Sequence, residues 1–283
     1  MSDTYFTNKT AVITGAGGTL CSAVAIELAR QGAKVALLGR TLDKLEVVNA
    51  QIKKNGGTAL PLSVDVTNVE AIEKACQTIT QELGPCAFLV NGAGGNQMDA
   101  VTTSTEFDPA EISADKPENL RGFFNLDMDR FLDVVKTNTL GTVIPCQVFG
   151  KAMARQGSGA IVNFASMNSI RPLSRVPAYG MAKAGVVNFT QWLATYLAPA
   201  GVRVNAVAPG FFLNDRSRKI LLDAQGAPTQ RGQNVMAHTP MKRFGEAEDL
   251  LGCVCWLLNG EQAKFVTGIT VSVDGGFLAS AGV

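Results

Sequence analysis

Charge imbalance is nearly absent from this chain of 283 residues, in which 25 lysines and arginines face 24 aspartates and glutamates. A net charge of +1 argues against an extended basic or acidic surface, so we expect neither nucleic acid nor an acidic membrane as partner. No apolar run reaches the roughly eighteen residues of a membrane-spanning helix. The segment Met1-Ser-Asp-Thr-Tyr-Phe6 lacks a basic stretch followed by a long apolar one, so we expect no secretory leader.

Zinc ligands and disulfide frameworks are also poorly represented, with one histidine and six cysteines in the sequence. Only Cys253 and Cys255 are close together, and their spacing of two fits neither a metal knuckle nor a redox pair. Most of the cysteines lie in apolar patterns, where a free thiol behaves as a small hydrophobe. We therefore expect buried, reduced cysteines, no metal site and a reducing cytoplasm.

The residues that are abundant indicate a large globular core, since 46% are hydrophobic and 29 are glycines. Short, mostly apolar β-rich runs alternate with longer helical patterns, several of them ended by glycines such as Gly32 and Gly56. This alternation predicts an α/β fold, a doubly wound, predominantly parallel seven-stranded sheet with helices on both faces. The predicted strands are 10–14, 34–38, 59–64, 87–90, 160–164, 202–207 and 270–273, and the predicted helices are about 18–31, 42–55, 68–83, 127–155, 178–198 and 246–259.

A single domain over residues 1–283 is expected, because the sequence has no Pro/Gly/Ser-rich linker and no internal repeat. Two segments interrupt the alternation, a polar insertion at about 95–126 and a loop at about 211–244. Both follow the C-terminal ends of predicted strands, the edge at which open α/β sheets bind ligands. The second segment is predicted to be a substrate loop, and its basic residues are Arg216, Arg218, Lys219, Arg231, His238, Lys242 and Arg243.

A glycine-rich turn joins the first predicted strand to the first helix, in the sequence Thr14-Gly-Ala-Gly-Gly-Thr-Leu-Cys21. Its first two glycines fit the general dinucleotide fingerprint, whose third glycine is replaced here by leucine. Such a turn exposes backbone N–H groups at a helix N-terminus, where the helix dipole favours a pyrophosphate. The predicted phosphate-binding residues are Gly15, Gly17, Gly18, Thr19 and Leu20.

Residues after the next three strands extend this predicted nucleotide site. No acidic residue ends the second strand; Arg40 stands there and can pair with a 2′-phosphate, stack on adenine or remain solvated, which weighs against strict NAD specificity. Asp65, followed by Val66, can accept a hydrogen bond from adenine or cap the next helix. The turn Asn91-Gly-Ala-Gly94, including Ala93, allows close backbone approach to a ligand. One long ligand along one sheet edge explains all of these segments.

Tyr179 and Lys183 stand four residues apart in a predicted helix, which places them on one face, about 6 Å apart at Cβ. A tyrosine titrates near pH 10, so it carries protons at neutral pH only if a positive charge such as that of Lys183 stabilises the phenolate. Taken alone, such a pair is usually ordinary helix surface. The nearby Ser166, at the end of an apolar strand, favours an acid/base pair in a site.

These motifs, in this order, resemble those of the short-chain dehydrogenase/reductases, and the resemblance covers residues 9–277. It implies a Rossmann-fold oxidoreductase that uses NAD(H) or NADP(H) and is usually a homotetramer. The motifs are Thr14-Gly15, Asp65, Asn91-Gly-Ala-Gly94, Asn138-Thr-Leu-Gly141, Ser166, Tyr179 with Lys183, Pro209-Gly210 and Val273-Asp-Gly-Gly276.

The resemblance also implies roles for individual residues. Tyr179 is expected to be the acid/base, and Lys183 to lower its pKa and hold the nicotinamide ribose. Ser166 is expected to hydrogen-bond the substrate oxygen, and Asn138 to support a proton-relay water. Pro209 and Gly210 are expected to contact the cofactor.

The sequence differs from the family pattern at four positions. Thr19 and Cys21 replace motif glycines, which predicts a slightly larger distance between helix and pyrophosphate. Gly92 stands where a second asparagine is usual, and Asn214 where threonine is common, which questions that cofactor contact.

Within the family, the insertion before Phe131, the segment Pro209–Arg216 and the segment His238–Gly245 most resemble the D-mannonate oxidoreductases, or fructuronate reductases, of the short-chain type. The implied substrate is a small keto sugar acid, whose carboxylate needs a cation. Arg175 and Arg216 are candidates for that role, and either can instead be a surface or interface arginine. His238 can bind hydroxyl groups or hold the loop.

Two other functions remain open from the sequence. One is the reduction of 5-ketogluconate or another polyol ketone. The other is a nucleotide-binding sensor that has lost turnover, which the presence of Ser166, Tyr179 and Lys183 disfavours.

Overall fold

The computed structural model describes residues 4–280, so the part of the leader expectation that concerns Met1, Ser2 and Asp3 lies outside the described residues. Seven parallel strands form one sheet in the order β3-β2-β1-β4-β5-β6-β7, which confirms the predicted doubly wound architecture. The strands are β1 (Thr10–Thr14), β2 (Lys34–Gly39), β3 (Thr58–Ser63), β4 (Cys86–Asn91), β5 (Gly159–Phe164), β6 (Val202–Pro209) and β7 (Thr270–Val273).

Eight α-helices connect and flank these strands within residues 4–280, and none of them has the length and apolar character needed to cross a bilayer. Side chains such as Leu28, Leu45 and Leu257 pack α1, α2 and α8 on one face of the sheet, while Ile79 and Phe149 pack α3 and α4 on the other. The helices are α1 (Thr19–Arg30), α2 (Leu42–Lys54), α3 (Val69–Glu82), α4 (Met128–Gln156), α5 (Pro177–Leu197), α6 (Asp215–Leu221), α7 (Gln230–His238) and α8 (Glu248–Leu258).

The strand boundaries agree with the predicted ones to within two residues, because helices cover both faces of the sheet and leave the strands almost wholly apolar. Helix ends also follow local chemistry: Gly32 and Gly56, just past α1 and α2, adopt left-handed φ values of 89° and 77°. The N-terminus of α3 is capped by Asn68, whose side chain accepts from the Ala71 amide at 3.0 Å. The alternative that Asp65 caps this helix is therefore wrong.

The two irregular segments differ in how they are held. The insertion contains three short 3₁₀ turns, and Arg121, just before the third, donates from its guanidinium to the carbonyl oxygens of Met98 at 2.6 Å and Val101 at 2.9 Å in and beside the first. The second segment is a loop by sequence pattern, yet it contains α6 and α7. These helices enclose a small apolar cluster of their own, made of Leu213, Leu221, Val235 and Phe244.

Candidate active site

A cleft of about 650 Å³ lies at the carboxyl ends of β1, β4, β5 and β6. It includes the point where strand order reverses between β1 and β4, the usual ligand position in doubly wound sheets. The cleft brings together most of the residues predicted from sequence. Those that line it are Gly15, Gly17, Gly18, Thr19, Leu20, Gly94, Ser166, Tyr179, Lys183, Pro209, Gly210 and Arg216.

The glycine turn leaves the N-terminus of α1 open to an anion. Gly15 has a left-handed φ of 68°, and a Cβ there would lie 2.8 Å from the Ala93 amide nitrogen. Gly18 is the N-cap of α1, where no side chain caps the helix and no acidic residue occupies the first turn. Bare backbone N–H groups and the positive end of the helix dipole fit a pyrophosphate.

Lys44 is a cleft residue that sequence reasoning missed, and it lies beside this turn. It lines the cleft from the first turn of α2, and its Cβ lies 2.9 Å from the position of a Cβ on Gly17. Its ammonium adds a positive charge at the cleft wall. Its position in the helix after β2 is the signal that the sequence offers, since that helix begins at the edge where the phosphates are expected.

The predicted pair on α5 is brought together as its spacing requires. The Lys183 ammonium lies 5.8 Å from the centroid of the Tyr179 ring and donates to the Phe164 carbonyl oxygen at 2.6 Å. Burial lowers the pKa of Lys183 to about 8. Burial raises the pKa of Tyr179, and a hydrogen bond with Ser166 opposes that rise. The pKa of Tyr179 is thus raised, whereas Lys183 is expected to lower it. Desolvation of the phenol outweighs the contacts that stabilise the phenolate.

Ser166 lies two residues past the end of β5 and is the N-cap of a short 3₁₀ turn. Its Oγ accepts from the Asn168 amide at 3.2 Å, and its own amide donates to the Ser169 hydroxyl at 3.1 Å. These reciprocal bonds fix the Ser166 hydroxyl at the sheet edge, within hydrogen-bonding contact of Tyr179.

Asn138 is fully buried in α4 and lies behind the cleft wall. Its Nδ2 donates to the Gly95 carbonyl oxygen at 2.7 Å, and its Oδ1 accepts from the Gly95 amide at 3.1 Å. A Cβ on Gly94 would overlap Asn138 Oδ1. The Asn138 side chain thus holds the start of the insertion against α4.

Two residues predicted to contact the cofactor have buried side chains. Asn91 is buried, and its Nδ2 donates to Asn163 Oδ1 at 2.9 Å below the cleft. Val66 is buried, and a Cβ on Gly141 of α4 would lie 2.8 Å from one of its methyl groups. Their side chains support the turns that carry Ala93 and Asp65.

Arg40 and Asp65 lie outside the main cleft but near each other at adjacent strand ends. A hydrogen bond from the Thr67 amide lowers the pKa of Asp65, and the charges of Arg40 and Lys136 lower it further. Both side chains are exposed. They are therefore open to the adenosine end of a ligand that extends along the sheet edge.

The predicted substrate residues are not all brought together. Arg216 lines the cleft, and its Nη1 donates to the Asn96 carbonyl oxygen at 2.7 Å. Arg175 lines a neighbouring cavity of about 370 Å³, and its Nε donates to the Thr102 carbonyl oxygen at 2.7 Å. His238 is exposed at the end of α7, with Nδ1 2.7 Å from the Asn234 carbonyl oxygen, outside the cleft.

Arg231 on α7 is a further cation that the sequence did not single out. Burial lowers the pKa of Arg231, and the charge of Arg175 lowers it further, so the two guanidinium groups lie within electrostatic reach. Neither arginine forms an ion pair within residues 4–280. The signal available in the sequence is only a basic loop.

No disulfide joins any of the six cysteines, all of which lie within residues 4–280. Burial raises the pKa of Cys21 and of Cys146 to about 12, so both are protonated at neutral pH. Within residues 4–280, no group of three or more His, Cys, Asp or Glu side chains is arranged to hold a metal ion.

The family model for short chain dehydrogenases matches residues 9–224. The protein belongs to the short-chain dehydrogenase family. An uncharacterized oxidoreductase, UxuB of Bacillus subtilis (strain 168), is 46% identical over 97% of this chain and 96% of its own length. Membership of this family makes the protein an oxidoreductase that acts on CH–OH groups.

Solved structures support the same assignment. A candidate D-mannonate oxidoreductase from Haemophilus influenzae, with bound NAD, is similar with a TM-score of 0.91 and 41% identity, over 98% of this chain and 97% of that one. A candidate NAD(P)-dependent gluconate 5-dehydrogenase from Beutenbergia cavernae, with bound NADP at low occupancy, has a TM-score of 0.80 and 31% identity, over 98% and 100%.

Proposed function

We propose that this short-chain dehydrogenase interconverts a keto sugar acid and its hydroxy acid, and that the pair is D-fructuronate and D-mannonate. The observation that carries the proposal is the single cleft in which Ser166, Tyr179 and Lys183 meet both the glycine turn and Arg216. One cleft thus contains an acid/base group, a phosphate cradle and a cation suited to a carboxylate.

The proposed cofactor is NAD(H) or NADP(H), because the open N-terminus of α1 and Lys44 fit a dinucleotide pyrophosphate. Gly94, Pro209 and Gly210 would border the remainder of the molecule, and Arg40 with Asp65 its adenosine end. When bound, the reduced nicotinamide supplies the hydride that reaches the substrate carbonyl carbon.

Residues of the protein itself donate and replace the proton. In reduction, the Tyr179 hydroxyl donates its proton to the substrate carbonyl oxygen, which becomes the hydroxyl of the product. The Ser166 hydroxyl, oriented by Asn168, donates a hydrogen bond to the same oxygen. Lys183, fixed to the Phe164 carbonyl, holds the ribose and stabilises the Tyr179 phenolate that remains. Asn138 keeps the Gly94–Gly95 backbone in place and supports the relay that returns the proton from solvent.

The substrate carboxylate is proposed to bind Arg216, because it lines the cleft and the other candidate arginine, Arg175, does not. Arg175 and Arg231 extend the positive charge beside it, because they lie near each other without acidic partners among residues 4–280. His238 is proposed only to support the end of α7. A charge-assisted bond to a carboxylate is worth about 1.5–3 kcal/mol, enough to separate sugar acids from neutral sugars.

We further propose that residues 1–283 act as one catalytic domain, in a cytoplasmic homotetramer. The continuous sheet supports the first proposal, and family membership supports the second.

The test is an initial-rate panel of D-fructuronate, 5-ketogluconate and the neutral ketose D-fructose, each with NADH and with NADPH, followed at the nicotinamide absorbance. We expect D-fructuronate to give the highest kcat/KM and D-fructose to be about ten- to a hundredfold poorer, from the loss of one charged contact. A preference for D-fructose would contradict the proposal. Cofactor binding without turnover of any carbonyl would instead indicate a sensor.

The second candidate is 5-ketogluconate reduction. It is favoured by the similarity to the gluconate 5-dehydrogenase structure and retains the carboxylate contact with Arg216. The same panel separates the two substrates.

A further inference from the structure

Gly92 and Cys21 pack closely against each other in the cleft, which both residues line. A Cβ on Gly92 would overlap the Cys21 sulfur, and it would lie 3.6 Å from Cys21 Cβ. The sulfur therefore occupies the space that any side chain at position 92 would need. Each residue stands at a position where the sequence differs from the family motif, and the two differences fill one volume.

The contact joins the turn after β1 to the turn after β4. The Thr14 hydroxyl accepts from the amides of Gly92 and Ala93, both at 3.1 Å. Gly15 allows the same backbone to approach, since a Cβ on it would lie 2.8 Å from the Ala93 nitrogen. The sulfur of Cys21 is the apolar part of this junction, and the hydroxyl of Thr14 is its polar part.

The turn after β4 in turn contacts the catalytic residues. A Cβ on Gly94 would overlap Asn138 Oδ1 and lie 3.5 Å from the Lys183 ammonium nitrogen. Cys21 and Lys183 are also close enough for their charge states to influence each other. A displacement of the Gly92–Gly94 backbone would therefore move the groups that border Lys183 and Asn138.

We propose that Cys21 and Gly92 act together as positioning residues. The thiol packs against Gly92 and so keeps the Gly92–Gly94 backbone where cofactor binding requires it. The thiol acts by its volume, because burial keeps it protonated. The inference rests on the proposed binding of NAD(H) or NADP(H) in this cleft.

The test is a cycle of Gly92→Ala, Cys21→Ala and the double variant, with the dissociation constant of the preferred reduced cofactor measured by fluorescence titration. Gly92→Ala should weaken cofactor binding by about tenfold or more, because the new methyl group displaces the backbone from the sulfur. Cys21→Ala should weaken it by about threefold, because the Gly92–Gly94 backbone loses its contact with the sulfur, and unchanged binding would show that the thiol does not position this backbone. The double variant should return to within about threefold of Cys21→Ala, because Cys21 Cβ at 3.6 Å accommodates the methyl group.

Thermal unfolding of the unliganded proteins is the second measurement, and binding is measured well below each midpoint so that only folded protein is titrated. Gly252→Ala in α8 is the matched control, since nothing lies within 4 Å of a Cβ there, and it should bind cofactor as the wild type does. Additive losses in the double variant, or normal binding by Gly92→Ala, would overturn the pairing. Failure of the wild type to bind either cofactor would instead overturn the proposed function.

Discussion

The two walls of the cleft are built in contrasting ways. The catalytic wall consists of β5, the turn after it with Ser166, and α5 with Tyr179 and Lys183, and buried hydrogen bonds fix Ser166 and Lys183. The substrate wall, residues 95–126 and 211–244, consists of short turns and helices with a separate small cluster. A side-chain hydrogen bond from Arg216 to the Asn96 carbonyl oxygen joins its two parts at the cleft.

This difference separates chemistry from selectivity. Proton transfer requires groups held within a fraction of an ångström, which a buried strand and helix provide. Substrate choice depends on charge and shape at the mouth, which loops can alter without disturbing the sheet. Substitutions in the catalytic wall should therefore reduce turnover, and substitutions in the substrate wall should change substrate affinity.

The largest expected effect is from Tyr179→Phe. Removing the hydroxyl eliminates the proton donor, so kcat with D-fructuronate should fall by about three orders of magnitude. Tyr196→Phe is the matched control, because Tyr196 is on the same helix and exposed, stacked on Trp192 at 5.1 Å. It should retain wild-type kcat in the same initial-rate assay. Near-normal turnover by Tyr179→Phe would remove the acid/base assignment.

A smaller effect is expected from Arg216→Ala in the substrate wall. Loss of a charge-assisted bond to the substrate carboxylate should raise KM for D-fructuronate about tenfold, with kcat changed less than about twofold. Arg218→Ala is the comparison, since Arg218 lies on the same helix and pairs with Glu246 at 3.6 Å on the surface. Equal KM values for the two variants would show that Arg216 does not bind the carboxylate, and a loss confined to kcat would place it in the catalytic wall.

The remaining effect is one of stability rather than of kinetics, in Lys183→Met. Below about pH 8, the folded protein carries the full cost of a buried ammonium, because both folded and unfolded states hold the proton. Between about pH 8 and the ordinary lysine pKa of 10.5, the unfolded state binds more protons, so the wild-type unfolding free energy should gain up to about 3 kcal/mol relative to Lys183→Met.

Urea denaturation at pH 7, 8, 9 and 10 measures this difference, and comparing the two proteins cancels the titration of other groups. Parallel pH dependences would show that Lys183 is not desolvated in the folded protein. The activity of the variant is not needed for this test.

The strands were predictable because their evidence is local. A run such as Thr10–Thr14 has three consecutive apolar residues between its threonines, a pattern typical of a strand buried on both faces. Helices α6 and α7 were not predictable in the same way, since they are short and polar. Their ends depend on hydrogen bonds such as the one that the Asn214 amide donates to the Ser217 hydroxyl, and their burial on residues distant in sequence such as Phe244.

The candidate site likewise contains residues that local sequence could predict and residues that it could not. The spacing of Tyr179 and Lys183 predicted a shared helix face, and the fold places both in one cleft with Ser166. Arg175 and His238 are candidates by charge and proximity in sequence, yet neither lines that cleft. Lys44 does line it, although its local sequence resembles any exposed helix start.

The sequence by itself determined the order of strands and helices, the glycine turn and the catalytic helix, because each depends on residues within one or two turns of one another. Only the tertiary structure decided which cations reach the cleft, which asparagines support it from behind and why Gly92 must lack a side chain beside Cys21. Those outcomes depend on which atoms of distant segments occupy the same few ångströms, a property that packing sets and no local pattern records.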